Sequence, residues 1–195
     1  SSLLLVGLYG KHGMLLVIMA PVLTCNATIS GWRSSAIWVR WHPPIDELKL
    51  NTIGSCVQGV LRGGSVVRDD RGSVVVAFSA FFGEGNSVVA EALALLQGLK
   101  MCWERSIHLS EIESDFYIAI NALKCIVDCP WYITYSIRAF KAFIQSNMLV
   151  LHTWHEGNMW EDFLDSKVNK DERLQIFSST CSLPIECLMI VRGDA

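Results

Sequence analysis

The sequence predicts an α/β domain, and three observations carry that prediction. Short Val- and Phe-rich runs bounded by Gly and Asp turn signals read as strands. The run from Val88 to Trp103 repeats apolar residues at helical spacing. The two patterns then alternate along the chain in the order three strands, helix, strand, two helices, strand, helix.

The elements follow in order. Trp38 to Pro44 ends in Pro-Pro, which cannot continue a helix, and reads as an extended lead-in with a domain boundary near Trp41. Leu48 to Ile53 is a short strand stopping at Gly54-Ser55. Gly64 to Arg68 and Ser73 to Phe82 form a hairpin around the turn Asp69-Asp70-Arg71-Gly72. The long helix follows Gly83-Glu84-Gly85, with Val88, Ala92, Leu95, Leu96, Leu99 and Trp103 on its stripe and Asn86 or Ser87 at the N-cap. Ile107 to Glu113 is a strand, and Asp115 opens a short helix reaching about Ile126. A second helical stripe through Ile137, Phe140 and Ile144 lies between Trp131 and Gln145. Met148 to Trp154 is another strand, and a last helix runs from Met159 to about Val168. Residues 1–40 are an apolar segment of unassigned role, and 169–195 read as a C-terminal appendage.

Composition narrows the function. In 195 residues, 51% hydrophobic and 18% charged content gives a domain with a real core and excludes a disordered or collagen-like chain. With 16 Lys+Arg against 19 Asp+Glu the net charge is -3, so any nucleic acid must be met locally rather than through a broad basic field. Seven scattered cysteines do not make a disulfide framework, which favours a reducing compartment, nucleus or cytoplasm. The apolar N-terminal run is interrupted by Lys11, His12 and Gly13, and a mid-span Lys costs about 2.5 to 3.5 kcal/mol on insertion scales. No stable membrane insertion is expected. Met14 to Leu23 has the hydropathy of a signal-peptide core, but no small-x-small cleavage pair follows it.

Three carboxylates fall where strands end or helices begin: Glu91, Asp115 and Asp162. Groups at such ends converge on one site in an open mixed sheet although they are far apart in sequence. Singly, each has an ordinary explanation as a helix-start or solvated acid.

The stretches WHPP with LKLNTIGS, GGSVVRDDRGSVVVAFS, AEALALLQGL, EIESD and HEGNMWEDFL together resemble the RNase H-like domain of plant retroelement-derived, reverse-transcriptase-like proteins, a branch of the type 1 ribonuclease H superfamily. The resemblance covers Trp41 to about Val168 and implies a mixed five-stranded sheet flanked by helices. It also implies an endonuclease that hydrolyses the RNA strand of an RNA/DNA hybrid with two Mg2+ ions on four acids. Hard divalent cations want oxygen ligands, and in-line attack on a phosphodiester needs charge neutralised at both entering and leaving oxygens. Carried over position by position, the second, third and fourth acids fall on Glu91, Asp115 and Asp162. A mobile histidine of the family matches His152, with His155 beside it.

The departure lies at the first acid. Where the family has Asp-Gly at the end of its first strand, this chain has Ile53-Gly54. An Ile there removes the ligand shared by both ions, so hydrolysis is expected to be lost or very weak, with one-metal binding through Glu91, Asp115 and Asp162 remaining. Asp69 and Asp70, in a turn, do not substitute for it. Binding can outlive catalysis, since a hybrid is recognised through backbone, groove shape and 2'-hydroxyls. Asn51, Thr52, Ser55 and Asn86 are the candidate contacts, and Arg62, Arg68 and Arg71 add local positive charge. No small-molecule cofactor is implied.

Readings from other classes are weaker. Cys125-x3-Cys129 with His152-x2-His155 has four zinc-ligand types, but 22 residues separate the pairs, longer than in a common finger. No Gly-x-Ser-x-Gly elbow and no phosphate-binding loop occurs. The alternative to a binding module is a folded retroelement relict without enzymatic role.

Overall fold

The computed structural model describes residues 3–9, 15–21, 36–39, 41–44, 47–124, 130–153 and 174–184. The described residues form two sheets. β1 (Leu3–Tyr9), β2 (Leu15–Pro21) and β3 (Ala36–Val39) form a three-stranded antiparallel sheet in that order. Among the described residues no helix is long and apolar enough to cross a membrane.

The main sheet begins with β4 (Lys49–Val57), β5 (Val60–Arg68) and β6 (Val74–Glu84), an antiparallel meander. β4 does not stop at Gly54 but continues to Val57 and turns at Gln58-Gly59, both at positive φ (52° and 79°). A two-residue turn of that hand matches the twist of the flanking strands, which is why the hairpin is tight. The β5–β6 turn is held by Asp69, whose Oδ1 accepts from the N–H groups of Arg71 (3.0 Å) and Ser73 (2.7 Å). Asp69 therefore serves the turn, as expected of an acid there.

α1 (Ser87–Glu104) follows, capped by Asn86, whose Oδ1 accepts from Val89 N–H at 3.1 Å. Its buried side comprises Ala90, Ala92, Ala94, Leu95, Gly98, Leu99, Met101 and Cys102. Trp103, assigned to the inward stripe by spacing, lies outside, because the helix meets the sheet through its small residues and turns Met101 and Cys102 inward instead. β7 (Glu111–Ser114) is shorter than the expected Ile107 to Glu113. α2 (Tyr117–Leu123), a 3-10 turn at Trp131–Ile133, α3 (Thr134–Phe143) and β8 (Leu149–His152) complete the expected order.

The sheet order is β8-β7-β4-β5-β6-β9, with β7 parallel to both β4 and β8. Six strands stand where five were expected. The sixth, β9 (Leu174–Phe177), comes from the C-terminal segment and pairs antiparallel with β6 at the sheet edge. Leu50, Val67, Val76, Phe78, Ala80 and Ile112 on one face of the sheet pack with Leu95 and Leu99 of α1, Ala119 of α2, and Ile137 and Phe140 of α3 in one core. Burying each such large aliphatic or aromatic side chain contributes about 1.5–3 kcal/mol, so the described helices are held by this face. The last predicted helix, with Asp162, lies outside the described residues, as do His155, Cys125 and Cys129.

Candidate nucleic-acid and metal site

Three parallel strands place the candidate site. Thr52 pairs with Ser114 and Ser114 with His152, so the carboxyl ends of β7 and β8 lie side by side next to the middle of β4. Ile53 and Asp115 each follow their paired residue by one. Glu91 reaches this corner from α1, its Oε2 accepting from Gly54 N–H at 2.8 Å. That approach depends on glycine: a Cβ on Gly54 would come 2.3 Å from the Glu91 nitrogen and 2.4 Å from the Ala90 carbonyl carbon. Glu91, Asp115 and His152 thus lie on elements that meet at this corner. His152 is exposed, and its ring meets exposed Tyr117 edge-on, centroids 5.5 Å apart.

Position 53 is apolar and buried. Ile53 is 2% exposed and lies on the sheet face opposite α1, two residues beyond Asn51. Where a shared carboxylate ligand would stand there is a buried hydrocarbon side chain. Among the described residues no three His, Cys, Asp or Glu side chains cluster to hold an ion. Glu91 is moreover occupied with a backbone N–H. The described residues do not fit a two-ion centre.

The proposed nucleic-acid contacts divide. Asn51 and Thr52 are interior residues, which corrects their reading as contacts. Asn51, 3% exposed, donates from Nδ2 to Glu113 Oε2 at 2.9 Å and accepts at Oδ1 from Trp41 Nε1 (3.1 Å) and Arg68 (3.2 Å). Strand alternation points it at the face opposite α1, which is covered rather than open. Thr52 faces the other way, toward the core beneath α1. Arg68 is likewise buried, its guanidinium 3.9 Å from the Trp41 ring centre, and offers no charge to a ligand. Ser55 is half-buried on β4, and Asn86 is exposed but engaged in capping α1.

Behind the corner runs an ionic network that the sequence reading missed. Lys49 Nζ lies 2.9 Å from Glu111 Oε2 and 2.8 Å from Glu113 Oε1, and donates to the His42 carbonyl at 2.6 Å. With Asn51, Arg68 and Trp41 it ties the WHPP segment across the sheet. The available signal was the matching alternation Lys49-x-Asn51 and Glu111-x-Glu113, which puts an ammonium and an amide donor opposite two acids on neighbouring strands.

Comparisons with known proteins agree with this fold. No curated protein matches the chain. RNase H1 of Halobacterium salinarum NRC-1 superimposes with a TM-score of 0.53 at 16% identity, covering 60% of this chain and 92% of that one. LC11-RNase H1, isolated from compost and solved with an RNA/DNA hybrid, gives 0.54 at 19% identity over 60% and 93%. The N-terminal RNase H domain of Rv2228c from Mycobacterium tuberculosis gives 0.53 at 16% over 60% and 88%. At such identities the likeness defines the class by fold: this is an RNase H-like α/β domain. More narrowly, residues 51–159 match the reverse transcriptase-like family model, and the chain belongs to that family.

Proposed function

We propose that this chain binds nucleic acid of the RNA/DNA hybrid type through the corner formed by Glu91, Asp115 and His152, and that it hydrolyses the RNA strand very weakly or not at all. The observation that carries the proposal is Ile53, a buried apolar residue between Thr52, whose strand partner Ser114 precedes Asp115, and Gly54, whose N–H donates to Glu91, in an RNase H-like fold. Support for the ligand comes from LC11-RNase H1, solved with such a hybrid. Asp162, outside the described residues, is a further proposed ligand, and Ser55 a peripheral contact. Mg2+ binding is reduced relative to hybrid ribonucleases, because no shared carboxylate is available at position 53. Unpaired Cys56, Cys102 and Cys181 support a nuclear or cytoplasmic setting.

The test is filter retention of labelled hybrid across a salt series, together with a cleavage assay in Mg2+ on the unaltered chain and on Ile53→Asp. Salt-dependent retention without cleavage, and cleavage by the variant, is the expected result. Cleavage by the unaltered chain would overturn the inactive reading. A chain that melts cooperatively yet retains no hybrid is instead the folded relict.

A further inference from the structure

We infer that the open apolar cavity between α2, α3 and β8 is a binding site for a free fatty acid of medium chain length, with the alkyl chain on the cavity floor and the carboxylate at Lys124 and Lys141.

The cavity has a volume of about 470 Å³ and is lined by Leu123, Lys124, Lys141, Ile144, Met148 and Val150. Small-molecule sites span roughly 300–1,000 Å³, so this one has the size of a ligand pocket. At the volume of a water molecule it takes about fifteen water-sized groups, enough for a single acid of about ten carbons and too few for a two-chain lipid.

The floor sets the body of the ligand. Leu123, Ile144, Met148 and Val150 are half-buried and pack against the main core, so the floor is an outward extension of that core. Its backbone is fixed: Ile144 N–H donates to the Phe140 carbonyl (3.0 Å), Met148 N–H to the Gln145 carbonyl (3.1 Å), and Val150 pairs with Ile112 in the sheet. The described floor offers no polar side chain, so a sugar or a base lying on it would leave its own polar groups unpaired. An alkyl chain has none to satisfy, and the flexible Met148 thioether adapts to its shape.

The rim sets the head group. Lys124 is the C-cap of α2 and Lys141 lies in the last turn of α3, both exposed. The described lining holds these two cations and no carboxylate. A helix C-terminus carries at most about half a negative charge, so two lysines outweigh the two helix ends beside them. An anionic head on an alkyl body is the complement of such a cavity.

The site is distinct from the Glu91 corner. Tyr117, in the first turn of α2, meets His152, whereas Lys124 stands at the other end of that helix, about 10 Å along its axis.

The experiment is isothermal titration of the full chain with decanoate, octanoate and 1-decanol, each below the concentration at which it aggregates. Decanoate is expected to bind, and octanoate to bind about tenfold more weakly, since each buried methylene is worth about fourfold. 1-Decanol, which lacks the charge, is expected to bind about tenfold or more weakly than decanoate. Lys124→Ala/Lys141→Ala is expected to bring decanoate down to the affinity of 1-decanol and to leave 1-decanol unchanged. Val150→Phe, which fills the cavity from β8, is expected to abolish binding of both. Should that variant not fold, the lysine pair, whose side chains are on the surface, still decides. No binding of decanoate, equal binding of decanoate and octanoate, or undiminished decanoate binding in the lysine variant overturns the site. Retention on phosphatidylglycerol vesicles without uptake of free decanoate also overturns it, because the lysines would then be a membrane contact.

Discussion

Ile53, Gly54 and Lys49 lie within six residues of one strand, yet each answers to a different constraint. Ile53→Asp places a carboxylate in a buried position near Glu91 and Asp115, and the expected cost in metal-free buffer is on the order of 3–5 kcal/mol. If that carboxylate completes an ion site, Mg2+ raises the melting temperature of the variant and not of the unaltered chain, a calorimetric readout independent of cleavage. Gly54→Ala forces the strand and the first turn of α1 apart, since its Cβ would overlap the Glu91 backbone. About 1–3 kcal/mol of stability is expected to go, measured by urea unfolding, together with hybrid affinity as Glu91 is displaced. An unchanged midpoint and affinity would show that the close approach is unimportant. Lys49→Ala leaves Glu111 and Glu113 without their shared cation, and a loss of about 3–5 kcal/mol is expected in the same assay.

At the scale of elements, the helices are positioned by what they bury rather than by strong caps. α2 and α3 have no side-chain cap hydrogen bond, whereas α1 has Asn86. Asn86→Ala is a mild change by comparison with the core, worth about 1 kcal/mol. Within α1, Cys102 is packed against the sheet, and burial pushes its thiol up to about 12 from an ordinary 9.0. A raised thiol pKa means the folded state keeps Cys102 protonated through neutral and mildly alkaline pH, where an exposed thiol ionises. A thiol reagent at pH 8 is therefore expected to label exposed Cys181 quickly and Cys102 only at the rate of unfolding, as peptide mapping would reveal. Equal labelling of both in the native chain would contradict the packing of α1.

For the molecule as a whole, the WHPP segment is tied to the main sheet through Trp41 and His42. The family match starts at residue 51, but Trp41 stacks on Arg68 and donates to Asn51, and the His42 carbonyl receives Lys49. We propose that the cooperative unit starts at Trp41. A chain beginning at Trp41 is expected to melt as a unit, and one beginning at Lys49 to lose about 3–5 kcal/mol, the worth of a buried Trp with its polar partners. Equal melts for the two truncations would show the segment to be a passenger.

Sequence alone determined the alternation of strands and helices, the Asn86 cap, the hairpin at Asp69 and the apolar residue at the first acid position. These are local or period-based properties: a cap, a turn or a helical stripe is written within a few residues. Only the tertiary structure decided that Asn51, Thr52 and Arg68 are interior, that Lys49 joins Glu111 and Glu113, and that the C-terminal segment supplies β9. Each of these depends on register between strands far apart in sequence. A polar residue on a strand reads the same whether its face meets solvent, a partner strand's charge or a tryptophan, and pairing alone tells them apart.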